Sequence, residues 1–594
     1  MYGLFYISCV NLPQLRKYYL VPIKTWGRLF MNPITQNCRH CQKDFEISQR
    51  DLDFYDKVSP VFGAKKYNIP VPTHCPDCRQ QRRICFRNER KLFYRTCDFS
   101  GKTMASMHPA DARFEVYDIS VWLSDKWEPL DYGKDFDFSR PFFEQFKEMC
   151  DQIPHFNQFV DPNLDENSDY TNCASNSKNC YLISQAEFNE DCYFSRGINS
   201  SRDCCDCLRV QSSELSYECT QCDGCYQCLF CNECYSSNDC YFSSNLQSCK
   251  NCFGCHDLKN KEYCIYNQHV GKEKWEEWMS KVELSHDSIA YFKAESEKLR
   301  LTLPKRRNKL ISCEDTTGDH LKNCRNSLDC YDSSGLEDCS YLYEVFGGAK
   351  DCYDYSMWGY KSELVYECNG CGLGAYHLLF TNHCWNGVSE LMYSESCFPA
   401  TKDCFGCFGL KRKQYCILNK QYTKEEYEAL VPKIIEHMMK TGEWGEFFPM
   451  NLSPYPYNHS LAGEFYPLTK ETAEAEGLEW HEDKDQATYQ GAKFQVPATI
   501  RETPADITKQ ILQCNTTGRP YKVIDQEYAF YKKMGLPVPL VSNQQRHLDR
   551  LNAQSPRQLW ERQCQKCTKD IQTSYSPESP EIVYCESCYL NSLG

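Results

Sequence analysis

Between residues 168 and 275, apolar and polar positions recur in a register of 12. Read from Cys180, the blocks run CYLISQAEFNED, CYFSRGINSSRD, CCDCLRVQSSEL, SYECTQCDGCYQ, CLFCNECYSSND, CYFSSNLQSCKN, CFGCHDLKNKEY and CIYN. Cysteine opens the block at 180, 192, 204, 228, 240, 252 and 264, and Ser216 takes the remaining place. An aromatic or aliphatic residue usually follows, and Asp or Asn often closes the block. A fixed short period is the signature of stacked repeats. Helical repeats need about 30 or more residues. A period of 12 therefore predicts a β-solenoid, with rungs about 4.8 Å apart and equivalent residues in columns.

A second array follows. SELSYECTQC (213–222) returns as SELVYECNGC (362–371), and NCFGC…KEYCIYN (251–267) returns as DCFGC…KQYCILN (403–419). Its rungs start at Ser327, Cys339, Cys352, Val365, Leu378, Leu391, Cys404 and Cys416. The duplication tests what the cysteines do, because Ser216 matches Val365, Cys228 matches Leu378 and Cys240 matches Leu391. Leucine replaces a buried apolar residue but never a metal ligand, and free cysteine is among the most buried residue types. Most of the column therefore reads as packing. Cys219/Cys368, Cys222/Cys371, Cys234/Cys384 and Cys255/Cys407 are cysteine in both copies and stay open to a metal or redox role. Cys219 with Cys222, and Cys368 with Cys371, are the best dithiol candidates.

Helical spacing appears around the arrays. Ser139-Arg-Pro141 starts a helix with Phe142, Phe143, Phe146 and Met149 on one face, suited to capping the open end of an array. Residues 271–308 read as two helices, and 423–444 as another opened by a Thr423–Glu426 capping box. The expected plan is mainly β with helical caps: two tandem solenoids of 12–13-residue period, flanked by zinc-ribbon or treble-clef-like modules. Its parts are an extension (1–36), an N-terminal zinc module (37–123) and a linker with docking helix (124–167). Then come the first array (168–270), a helical pair (271–311), the second array (312–422), a helix (423–444), an extended linker (445–505) and a C-terminal zinc module (506–594). Met31 offers an alternative start.

The terminal modules carry the strongest chemistry. Cys38-Arg-His-Cys41 with Cys75-Pro-Asp-Cys78 supplies four thiolates in the spacing that surrounds Zn²⁺. The C-terminus repeats this unit: ISQRDLDFYDKV…IPVPTHC aligns with VIDQEYAFYKKMGLPVPLVS, and the RKLFYRTC region with RQLWERQC. Each copy descends from a unit with two knuckle pairs. The N-terminal copy keeps the first site and only Cys97 of the second. The C-terminal copy keeps the second, Cys564, Cys567, Cys585 and Cys588, and only Cys514 of the first. Two structural zinc ions follow.

The stretch CRHCQKDFEISQRDLDFYDK…IPVPTHCPDCRQQRR resembles the zinc-ribbon family that reads CxxCgkeF, then an FY segment, then PxxCxxCR. WEPLDYGKDFDFSRPFFEQFKE and the NCY/DCY repeats resemble large cysteine-rich zinc-ribbon proteins of candidate-phyla bacteria. That second resemblance spans most of residues 37–594 and implies no particular activity.

Composition narrows the function. The net charge of −14 excludes bulk polyanion binding, yet Arg79, Arg82, Arg83, Arg87, Arg90, Lys91 and Arg95 form a local basic stripe with interleaved aromatics, as a nucleic-acid surface would. The bland reading pairs these arginines with carboxylates elsewhere. The 42 cysteines, without a secretory leader or membrane span, point to a reducing cytoplasm with zinc. No GxGxxG, Walker loop, GxSxG or HExxH is present. The expectation is a cytoplasmic, non-enzymatic zinc protein contacting RNA, DNA or a ribonucleoprotein through its Arg-rich modules. The alternatives are a protein scaffold working through the solenoid face, and a metal store or thiol-redox protein.

Overall fold

The computed structural model describes residues 33–482, 491 and 494–592. The upstream extension, with Met31, lies outside these residues except for its last few positions. The chain is mostly strand with some helix, and Cys₄ groups lie in both terminal regions. Two parallel arrays dominate. In the first, the register advances by 12: Cys192 faces Cys204, Cys204 faces Ser216, Cys240 faces Cys252 and Cys252 faces Cys264. In the second, Cys352, Val365, Leu378, Leu391 and Cys404 follow one another at 13, and Cys416 at 12. Ser216 stands in the cysteine column, as do the valine and leucines of the second copy.

A three-residue period within each rung sets its shape. Left-handed backbone recurs at Leu215, Glu218, Gln221, Gly224, Gln227, Phe230, Glu233 and Ser236. Between these corners, parallel bonds run from Tyr217, Thr220, Asp223 and Tyr226 N–H to the carbonyls of Cys228, Cys231, Cys234 and Ser237, at 3.0, 2.9, 3.0 and 3.2 Å. Each triplet buries one side chain: Ser216, Cys219, Cys222 and Cys225, then Cys228, Cys231, Cys234 and Ser237. Left-handed backbone costs an L-residue about 1–2 kcal/mol, so bonding and packing must offset strain at every corner. The narrow interior selects small side chains. Cys219 Sγ donates to the carbonyls of Tyr217 and Cys228 at 3.5 and 3.2 Å, and Ser237 Oγ donates to the Tyr235 carbonyl at 3.0 Å. Cysteine serves here as a small apolar residue with a weak donor. The extra residue per rung in the second array accompanies Val365, Leu378, Leu391 and Tyr355 inside.

The residue after each column position faces a flank, and the flanks receive the rest of the chain crosswise. The N-terminal module packs on the second array, where Phe54 stacks on Tyr353 at 3.7 Å and Tyr55 lies 5.3 Å from Tyr366. The C-terminal module packs on the first, where Phe530 and Tyr531 lie 6.1 and 5.8 Å from Tyr217. A matching ion pair closes each contact. Arg79 and Arg83 reach Asp354 at 2.8 and 3.3 Å; Arg546 and Arg550 reach Asp206 at 2.8 and 2.9 Å. Asp206 and Asp354 occupy equivalent places in the duplicated rungs.

The helix Phe142–Cys150 forms with its four apolar residues buried, but it covers a flank, with Phe142 5.5 Å from Phe405. The expected end cap is corrected, because antiparallel turns close the arrays: Gln268–His269 folds on Glu262–Ile265, and Lys420–Gln421 on Gln414–Ile417. The helix Lys424–Thr441 carries the Thr423–Glu426 capping box. Downstream, Phe447, Phe448, Tyr455 and Tyr457 are buried against their neighbours.

Removing either aspartate leaves two buried guanidinium groups without their shared carboxylate, which costs about 3–5 kcal/mol. Asp206→Ala and Asp354→Ala should each lower the unfolding free energy, read from denaturant titration, by that amount. A loss below about 1 kcal/mol for either would show that the pair does not hold its module.

Candidate metal centres and a central cleft

Four turns of one design occur in the terminal regions. The N–H groups of Cys38, Cys97, Cys514 and Cys564 bond the carbonyls of Lys43, Lys102, Arg519 and Lys569 at 2.8–2.9 Å. Gln42, Gly101, Gly518 and Thr568 take the left-handed conformation that closes each turn. Antiparallel strands flank every turn, as Ile34–Asn37 and Asp44–Ile47 do for the first. A helix start faces each: Cys75 caps Pro76–Ile84, Asp118 caps Ile119–Trp122, Ser542 caps Asn543–Asn552 and Cys585 caps Glu586–Leu590.

The first and fourth turns complete Cys₄ groups. The thiol sulfurs of Cys38, Cys41, Cys75 and Cys78 lie within 4.8 Å of one another, as do those of Cys564, Cys567, Cys585 and Cys588. Cys41 and Cys75 are 3.7 Å apart, and so are Cys567 and Cys585. Four sulfurs at ~2.3 Å from a tetrahedral ion would stand about 3.8 Å apart, so both groups fit a metal. Hydrogen bonding from Cys78 holds Cys75 down to about 5, and bonding from Ser587 holds Cys585 down to about 6, favouring the thiolate that binds metal. In the second turn, Cys97 Sγ instead accepts N–H bonds from Ser100 and Asp118 at 3.4 and 3.3 Å. In the third, burial opposes ionisation of Cys514, but bonds from Thr517 and Ser542 bring it to about 7.

The basic stripe is corrected. Arg79, Arg82, Arg83, Arg87, Arg90 and Arg95 are all buried, and Lys91 is half-buried. Arg82 reaches Glu367 and Glu446, both at 2.9 Å, and Arg83 reaches Glu367 as well as Asp354. Arg87 bonds Glu89, and Arg95 bonds Asp98 and the Pro109 carbonyl. The Arg90 guanidinium has no hydrogen-bond partner among the described residues, and burial lowers its pKa to about 10. The helical part of the stripe is an internal seam because the second array presents Asp354 and Glu367 to Arg79, Arg82 and Arg83.

The four dithiol candidates are likewise internal. Cys222 Sγ donates to the Thr220 and Cys231 carbonyls, and Cys368 Sγ to those of Tyr366 and Leu378. Cys219 and Cys371 are equally buried. Among the described residues, only the two terminal groups bring their thiols together as a metal set.

Sequence reasoning missed a cleft of about 2590 Å³ between the arrays. Its walls alternate aromatic residues, such as Phe188, Trp358 and Trp385, with charges of both signs. Ion pairs bridge it. Arg196 reaches Glu344 at 2.9 Å, Arg209 reaches Asp332 at 2.6 Å, and His320 lies 2.9 Å from Glu233. Burial alone would drive His320 neutral, but Asp319 and Glu233 outweigh it and raise its pKa to about 10.

No protein-family model matches this chain, and no curated protein matches it. Fold and sites define a class: a strand-rich, cysteine-rich chain with a potential metal-binding Cys₄ group at each end.

Elemental analysis should give two metal ions per chain, falling by one in Cys75→Ala and by one in Cys585→Ala, with no change in Cys222→Ser. Loss of metal from the array variant would reassign the array thiols. The raised His320 pKa stabilises the fold fully below about pH 6.5, and that increment is lost as pH rises through about 10. His320→Gln should therefore cost up to a few kcal/mol at pH 6 and nearly nothing at pH 10.5. Equal costs at both pH values would show that the imidazolium does not join the arrays.

Proposed function

We propose that the chain is a zinc-binding, non-enzymatic scaffold whose two short-period β-solenoids hold an extended polypeptide segment in the cleft between them. The cleft carries this reading. It far exceeds the ~300–1,000 Å³ of small-molecule sites, and its mixed charges and aromatic steps suit a peptide backbone with varied side chains. A nucleic-acid groove would need an excess of positive charge, and the arginines that promised one are spent on internal carboxylates. Thiolate-only ligand sets favour zinc, and a closed Cys₄ site leaves no position for catalytic water. Both modules resemble zinc ribbons in this respect, and their work is to fasten. The helix Pro76–Ile84 starts at the Cys75 ligand and carries Arg79 and Arg83 to the second array. Thiols donating to carbonyls throughout the arrays suit a reducing compartment such as the cytoplasm.

Fluorescent random peptides and a random single-stranded oligonucleotide, titrated over a salt series, separate the readings. Peptide binding with a shallow salt slope, weakened at least tenfold by Leu373→Trp in the cleft wall, is expected. Tight oligonucleotide binding with a steep slope, and none to peptides, would overturn the proposal.

A further inference from the structure

One end of the cleft holds an arginine that the fold leaves half used. Arg87 is only 6% exposed, yet it lines the cleft. Its Nε donates to Glu89 at 2.6 Å, and that carboxylate also takes Arg196 at 2.6 Å. Neither Nη group of Arg87 has a hydrogen-bond partner among the described residues. Beside it His383, 4% exposed, leaves Nε2 without a partner among the described residues. Gly370 makes the hollow between them: a Cβ there would lie 2.8 Å from His383 Cδ2 and 3.4 Å from Arg87 Nη1. Phe159, 4.9 Å from the His383 ring and 4.1 Å from Trp385, walls the hollow with apolar surface.

From this geometry we infer that the hollow is a carboxylate site, which takes the C-terminal carboxylate of a peptide ending in an aromatic residue. The two Nη groups offer the parallel donors that a carboxylate accepts in pairs. His383 as its Nε2–H tautomer supplies a third donor. The terminal side chain lies against Phe159 and Trp385, where aromatic pairs add about 0.5–1.5 kcal/mol. Sharing Glu89 between two guanidinium groups leaves a positive excess that an incoming carboxylate neutralises. The inference rests on the cleft as a polypeptide site.

Calorimetric titration of the whole protein with N-acetyl-L-phenylalanine and with its amide tests it. The acid should bind at least tenfold more tightly than the amide. Gly370→Ala should abolish that difference while leaving the Arg87–Glu89 pair in place. Left-handed backbone is already borne there by non-glycine neighbours such as Leu373 and His383, so the alanine variant should fold, as its thermal melt would report. Trp385→Leu, which leaves the hollow intact, should weaken the acid several-fold and leave acetate unaffected. Equal binding of acid and amide, or no binding of either at millimolar concentration, would overturn the site. C-terminally amidated peptides that bind in the cleft as well as free acids would remove the carboxylate site alone. N-acetylphenylalanine binding without any peptide binding would instead remove the polypeptide reading.

Discussion

Twelve residues are barely enough to bring one strand segment into parallel register with the next, and the rest of the molecule follows from that tightness. The backbone must turn at every third residue, so non-glycine residues occupy the left-handed region throughout the arrays. The strain is tolerable because each triplet repeats its hydrogen bond with the rung above, and because each buries one side chain. Few side chains fit inside. Cysteine and serine fit, and both donate to carbonyls that the narrow interior exposes. The cysteine content is thus favoured by rung length. The first array admits Ile183, Ile198, Val210 and Leu246 among its cysteines; where the step lengthens to 13, leucine and valine take more of the interior, tyrosine enters and cysteine thins out.

Tight rungs leave their flanks apolar, and duplication covers those flanks crosswise. Each module lies on the array farther from it in the chain, with the same aromatic pair and the same two arginines on one aspartate. In the arrangement each module carries only one Cys₄ group. The helix that carries Arg79 and Arg83 begins at a Cys₄ group, whereas the matching helix with Arg546 and Arg550 begins at Ser542, which bonds Cys514. The C-terminal Cys₄ group instead lies at the far end of that module, where Arg306 meets Glu586 and Tyr589 meets Asn245. A Cys₄ group stands where local hydrogen bonds do not already fix the chain.

Much of this was legible. The 12-residue register, the Ser216 substitution and the two Cys₄ groups follow from spacing alone, because stacking and ligation both demand fixed intervals. The three-residue period was also written, in Cys219, Cys222, Cys225, Cys228, Cys231 and Cys234, but the longer repeat masks it. The arginine stripe misled for a physical reason: a run of cations looks the same whether it faces solvent or carboxylates 271 to 285 residues away. Asp354 and Asp206 carry no local signal, and neither does the cleft, which exists only once two arrays stand side by side.

What holds the arrays apart also decides what the cleft can be. Ion pairs bridge the inner faces at Arg196–Glu344, Arg209–Asp332 and His320–Glu233, whereas the flanks are joined by interlocking aromatics. Buried pairs tolerate little displacement, since a separated charge is costly to leave unpaired. They fix a spacing without filling it. Apolar inner faces would have collapsed on each other and left no cleft. The charged walls are therefore a structural requirement before they are a recognition surface. A ligand of mixed polarity can enter such a space without disturbing the struts, whereas a purely apolar one gains little there and a polyanion meets nearly as many carboxylates as cations.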